Sequence, residues 1–256
     1  MRHLSVAFSL LGGGTMFARV ILVLIVAAGA VFTGLGPSAG AGAPLYPDLQ
    51  TLPPTGLRFD TVTLGDGKLH HVLRFDNTVW NAGPGRLELE GRKRSKIYQR
   101  VYDAATGGTL VERTYLGNDG LFHAGHNHYH LENFASYVLL TTDGTELGRG
   151  TKTSFCVIDY VNITAQYNPQ YTSCGRSIQG LSVGWGDTYH ANLAEQWVDL
   201  GVAGAGTSPP LNGTYVLSST ANPGNAASRQ QLLEADYGNN EGRTCFTVTN
   251  GAIAYC

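Results

Sequence analysis

The chain has 256 residues, enough for one or two domains of about 100–200 residues each. Hydrophobic residues make up 43% of it and charged residues 14%, which excludes a disordered chain. The formal net charge of −2 gives a nucleic-acid partner no electrostatic support, so none is expected.

The first element in chain order is a targeting segment. Val20 to Leu35 is an uncharged apolar run preceded by Arg2 and Arg19 and followed by small residues, including Ala39-Gly40-Ala41. That is the pattern of a secretory signal peptide over residues 1–41. A true start at Met16 would set the apolar run at the usual distance from the N-terminus. The run is short of the roughly 20 residues a membrane span needs, so no stable membrane anchor is expected. Cleavage leaves 15 basic residues against 19 acidic ones, a net charge of −4, and keeps all four cysteines. Export to the extracellular space permits them to pair.

Residues 42–256 read as one all-β domain with long loops, most economically a β-sandwich. With 34 glycines and 10 prolines the chain is rich in turns. Strands are expected at Leu57–Leu64, His71–Val79, Leu87–Leu89, Ile97–Tyr102, Phe134–Leu140 and Tyr215–Ser219. Each is bounded by turn residues such as Gly65-Asp-Gly67 or Asn81-Ala-Gly-Pro-Gly85. Gln230–Ala235 is a helical turn at most, and Gly201–Pro210 is a surface loop.

The histidines carry the first chemical signal. His123-Ala-Gly-His-Asn-His-Tyr-His130 holds four of the chain's eight. Spacing of two in an extended strand puts His126, His128 and His130 on one face, the outer Cα atoms about 13 Å apart. Imidazoles with metal bonds of ~2 Å barely span this, so the strand is expected to bend. Such a set suits zinc, copper, iron or nickel, and the residues alone do not choose among them.

Four blocks then occur in a familiar order. The histidine run continues as Leu-Glu-Asn-Phe-Ala-Ser-Tyr-Val-Leu-Leu140. It is followed by Thr151-Lys-Thr-Ser-Phe-Cys-Val-Ile-Asp159, by Leu181-Ser-Val-Gly-Trp-Gly-Asp-Thr-Tyr189 with Glu195-Gln-Trp-Val-Asp-Leu200, and by Glu234-Ala-Asp-Tyr-Gly-Asn-Asn240. Together they resemble the copper motif and the K-A-S-F-C-L-E-D, D-T-Y…Q-W-I-D-I and E-S-D-Y-x-N-N segments of the lysyl oxidase family.

The resemblance implies Cu2+ at His126, His128 and His130, and a lysine tyrosylquinone cofactor built from Lys152 and Tyr189. It implies Asp187 as catalytic base; His190 is read beside it as an alternative base or a hydrogen-bond partner near the metal. The reaction would convert primary amines, either peptidyl lysine or small amines, to aldehydes with O2, releasing hydrogen peroxide and ammonia. The resemblance further implies a structural Ca2+ held by Asp48, the carbonyl of Leu49, Glu234, Asp236, Asn239 and Asn240. It also implies disulfides Cys156–Cys174 and Cys245–Cys256.

Departures from the animal enzymes are visible. Gly125, Trp185 and Glu195 stand where those enzymes carry cysteines, and Ser136 stands where they carry a histidine. The chain therefore resembles a compact, microbial type of member, whose substrate need not be collagen or elastin. The competing reading is a non-enzymatic secreted β-sandwich that binds copper or zinc. Only the oxidase reading needs Lys152 and Tyr189.

Overall fold

A computed structural model describes residues 42–92, 96–117, 120–124, 127–152, 154–204, 212–224 and 232–256. The expected signal segment and His126 lie outside these residues. The strands, in chain order, are β1 Leu49–Thr51, β2 Thr55–Thr63, β3 Leu69–Asn81, β4 Leu87–Arg92, β5 Lys96–Ala104, β6 Gly107–Gly117, β7 Gly120–His123, β8 His128–Glu132 and β9 Ala135–Thr141. They continue as β10 Glu146–Arg149, β11 Ser154–Phe155, β12 Val161–Asn162, β13 Ile178–Leu181, β14 Trp185–Tyr189, β15 Trp197–Val202, β16 Gly213–Ala221, β17 Glu241–Thr249 and β18 Ala252–Tyr255. The all-β expectation holds. All strand pairings are antiparallel and fall into four sheets: six strands around β3, five in the order β10-β9-β16-β17-β18, four in the order β13-β4-β5-β6, and three in the order β11-β8-β7.

Alternation along β3 organises the centre. Phe75, Asn77, Val79 and Asn81 turn inward, and the residues between them are less buried. This period of two is that of a strand with one face on the core. The core is built from Leu73, Phe75, Val79, Leu87, Phe134, Tyr137, Phe155, Leu181, Leu217 and Phe246. No helix occurs at Leu232–Ala235, the described part of the expected helical turn. Those residues form an irregular segment held by hydrogen bonds instead. The Leu233 N–H donates to Gln99 Oε1 at 2.7 Å, and Gln99 Nε2 donates back to the Leu233 carbonyl at 2.8 Å.

The turn Asn81–Gly85 is fixed by one buried amide. Asn81 Oδ1 accepts from the N–H groups of Asp48 and Gly83, and its Nδ2 donates to the carbonyls of Gly85 and Leu181. The chain crosses so closely here that a Cβ on Gly85 would lie 1.9 Å from the Leu45 carbonyl oxygen. Backbone cannot yield as a side chain does. Gly85→Ala is therefore expected to cost about 2–3 kcal/mol or more. A fall in Tm of at least about 4 °C on thermal unfolding would register that, and an unchanged Tm would refute the close approach.

Both expected disulfides are present, Cys156–Cys174 and Cys245–Cys256. They close loops of 18 and 11 residues' separation, each contributing about 2–4 kcal/mol. Cys156–Cys174 anchors the segment that begins at Lys152.

Candidate active site

Asp187 and Tyr189 share the inner face of β14, as their spacing of two requires. They lie opposite Val79 and Asn77 of β3. Tyr189 is 5% exposed. Its hydroxyl donates to the Cys156 carbonyl at 2.9 Å, and its ring meets Phe155 edge-on with centroids 4.9 Å apart. Burial, reinforced by the nearby Asp187 carboxylate, pushes the phenol well above its ordinary pKa.

Lys152 reaches the same place from the segment before β11. Its Nζ lies 5.1 Å from the Phe155 ring centroid and 5.9 Å from that of Tyr189. Burial lowers the amine's pKa, with Glu195 and Asp187 partly opposing that shift. A lysine with a lowered pKa spends more time as the neutral nucleophile. Two segments distant in sequence thus bring amine and phenol together around one aromatic ring.

Asp187 is 4% exposed. Burial raises its pKa to about 7, against the lowering effect of the nearby Tyr189 hydroxyl and of the hydrogen bond donated by the Ile158 N–H. That value suits a proton acceptor working near neutrality. His190, the alternative base, is turned outward, with Nε2 3.2 Å from the Tyr160 hydroxyl and Nδ1 3.7 Å from Asp76.

The residue types alone do not mark Tyr137, Asn77 and Gln196 as neighbours of this site. All three are buried. The Tyr137 hydroxyl donates to Gln196 Oε1 at 3.4 Å, and its ring packs on Phe75 and Phe155. Burial raises the Tyr137 phenol, and the Asp187 charge adds to the shift. Among the described residues, both polar atoms of the Asn77 side chain and Gln196 Nε2 lie buried without a hydrogen-bond partner. Such groups are costly unless water or a ligand meets them.

The histidines sit on a hairpin. β7 pairs with β8 so that His123 faces His128 in register. Asn127 has a φ of 57°, a left-handed turn position immediately before β8. His128 and His130 bring their Nε2 atoms to 3.0 Å, and His130 Nδ1 lies 3.2 Å from Ser154 Oγ. In the tautomer whose Nδ1–H donates to Ser154, His130 Nε2 turns a lone pair toward its neighbour. Two imidazole nitrogens this close are spaced to share one cation with bonds of about 2.0–2.1 Å. The Sγ atoms of Cys156 and Cys174 also lie near His128. They form a disulfide, so neither is a thiolate ligand.

A second oxygen-rich site joins the two ends of the fold. Glu234 accepts from the Leu49 N–H at 2.6 Å, from Asn240 Nδ2 at 2.9 Å and from Asn222. Asp48 Oδ2 accepts from Asn239 Nδ2 at 3.0 Å. Burial raises Glu234 to about 7, with the Asp48 charge contributing. Asp236 is exposed and accepts from the Gly238 N–H. Among the described residues, Asp48 Oδ1, Asn239 Oδ1 and Asn240 Oδ1 are buried acceptors with no donor. Three such oxygens beside a carboxylate fit a hard cation that takes 6–8 oxygen ligands.

The family model for lysyl oxidase matches residues 86–256. The chain is similar to mouse (Mus musculus) lysyl oxidase homolog 4, 34% identical over 170 residues, which is 66% of this chain and 18% of that protein. It is 36% identical to Xenopus laevis lysyl oxidase homolog 2 over 121 residues, 47% of this chain and 14% of the relative. It is 31% identical to human (Homo sapiens) lysyl oxidase homolog 1 over 160 residues, 61% of this chain and 25% of the relative. The matched segments thus span a quarter or less of these relatives.

Proposed function

The chain belongs to the lysyl oxidase family, and on that premise we propose that it is a secreted, copper-dependent amine oxidase. It would oxidise primary amines, peptidyl lysine or small amines, to aldehydes with O2, giving hydrogen peroxide and ammonia. The observation that carries this reading is the convergence of Lys152, Tyr189 and Asp187 on one buried aromatic cluster.

His128 and His130, with His126 from outside the described residues, are the proposed copper ligands. A lysine tyrosylquinone joining Lys152 to Tyr189 would supply the electron sink that amine oxidation needs. The chain's own groups have separate tasks. Phe155 packs against Tyr189 and excludes water from its ring. The Cys156 carbonyl orients the Tyr189 oxygen. The Cys156–Cys174 disulfide holds the Lys152 segment beside β14. Asp187, deprotonated, accepts a proton from the carbon next to the substrate amine.

Peptide mass spectrometry on copper-loaded, aerated protein tests the proposal, with a metal-free control. A covalent link between the Lys152 and Tyr189 peptides, seen only with copper, is the expected result. Its absence after verified copper loading would favour the non-enzymatic metal-binding module.

We assign the oxygen-rich site to a structural Ca2+, held by Asp48, the Leu49 carbonyl, Glu234, Asp236, Asn239 and Asn240. A cation at 100 times its Kd adds about 2.7 kcal/mol to stability. Calcium is therefore expected to raise Tm by roughly 5–10 °C in a domain of this size. Asp236→Ala should remove most of that gain. The carboxylate is exposed, so the substitution should change the calcium-free Tm little. Equal calcium responses in both proteins would overturn the assignment.

A further inference from the structure

A groove of about 920 Å³ runs along the edge where β4 and β5 meet the β7–β8 hairpin. Its walls are aromatic: Tyr98, Phe122 and Tyr129. Phe122 and Tyr129 meet edge-on at 5.1 Å, and the Tyr129 hydroxyl donates to the Arg92 carbonyl at 2.7 Å. Gly91 makes this wall possible. A Cβ there would lie 2.5 Å from the Tyr129 ring, so only glycine lets that ring lie flat on β4.

The charge in the groove is one-sided. Arg92, Lys96 and Arg176 line it, and the Arg113 guanidinium stacks 3.6 Å from the Tyr98 centroid. The single carboxylate among the lining residues, Glu90, is already bonded to Arg92 at 2.6 Å and to Arg113 at 2.8 Å. Among the described residues, Lys96 and Arg176 have no carboxylate partner. Arg176 instead lies over Phe122, 5.6 Å from its centroid. Lys96 and Arg176 thus carry charge that no carboxylate among the described lining residues balances, in a chain whose net charge is −2.

The groove adjoins the histidine hairpin but uses its other side. Tyr129 alternates with His128 and His130 along β8, so its ring points away from theirs. The site is therefore distinct from the proposed copper centre. It is too large for one small anion, and its aromatic faces lie beside guanidinium forks. Those forks match carboxylates in planar, two-point contacts.

We propose that this groove is a docking site for an acidic polypeptide segment, one in which carboxylates alternate with aromatic or aliphatic side chains. Carboxylates would meet Lys96, Arg176 and Arg92, and the intervening side chains would rest on Tyr98, Phe122 and Tyr129. The proposal does not depend on oxidase activity.

Fluorescence anisotropy with a labelled ten-residue peptide of alternating Glu and Tyr tests it, using the full chain. Saturable binding that weakens as salt is raised is expected. The double variant Lys96→Glu/Arg176→Glu, checked for an unchanged Tm, should weaken binding by about tenfold or more. Arg176→Gln alone should weaken it less, and Lys152→Arg not at all. A matching Gln–Tyr peptide should bind as poorly as the Glu–Tyr peptide does to the double variant. No saturable binding, equal binding of the two peptides, indifference to the charge reversals, or preference for a neutral oligosaccharide over the acidic peptide would each overturn the proposal.

Discussion

Lys152→Arg and Tyr189→Phe are each expected to abolish amine turnover while metal binding at the histidines stays intact. Arginine keeps a positive charge and reaches at least as far as Lys152, but it stays protonated at any working pH. It therefore cannot supply the neutral amine that burial favours in Lys152. Phenylalanine keeps the edge contact with Phe155 and loses only the oxygen that would become part of the quinone. The fold loses one hydrogen bond, to the Cys156 carbonyl, worth about 1 kcal/mol. Turnover, read as amine-dependent hydrogen peroxide, should fall on the order of 10³-fold or more, because no remaining side chain can act as an electron sink. Copper content and Tm should change little. Substantial activity in either variant would remove the quinone from the mechanism. Loss of copper together with activity would point to a structural role.

The parts of this arrangement that can be read from the sequence are those encoded within a few residues. Asp187 and Tyr189 share a face because strand side chains alternate, and β14 bears this out. His71–Val79 alternates clearly and lies inside β3. The long strands β6 and β17 are not among the expected elements. β6 opens on two glycines and carries charged and polar residues on exposed positions. β17 alternates around Arg243, Thr244 and Cys245, so its apolar face is diluted. What depends on long-range register is hidden. Asn77 meets Tyr189 only because β3 pairs with β14, 112 positions away in sequence. Tyr137 and Gln196 converge from two further segments. The link between Leu49 and Glu234 spans 185 positions. No local pattern can announce it, and only the family resemblance points to it.

Asp187→Asn should separate catalysis from architecture. If Asp187 is the base, its carboxylate form is the active one, and its pKa of about 7 sets the acidic limb of the pH profile. Activity in the wild type should rise with pH, reach half its plateau near 7, and fall about tenfold per pH unit well below that. Asparagine preserves the shape and can still accept from the Ile158 N–H through its carbonyl oxygen, but it cannot take a proton. Turnover should drop by about 10²–10⁴-fold, and the limb near pH 7 should vanish from whatever activity remains.

Stability should move the other way. The folded state holds the Asp187 proton up to about pH 7, whereas an unfolded aspartate releases it near 3.8. Between those values the unfolded chain binds fewer protons, so this residue makes the wild type less stable as pH rises from about 4 to 7. Above pH 7 the penalty is complete and constant, on the order of 4 kcal/mol. An asparagine at this position does not titrate and carries no such penalty. The variant's Tm should therefore match or exceed that of the wild type at pH 8, with the difference shrinking toward pH 4. A purely positioning role predicts a different pair of results, a lower Tm at pH 8 and a modest rate loss with the acidic limb retained. That outcome would dismiss Asp187 as the base and direct attention to the buried Tyr137–Gln196 pair beside it.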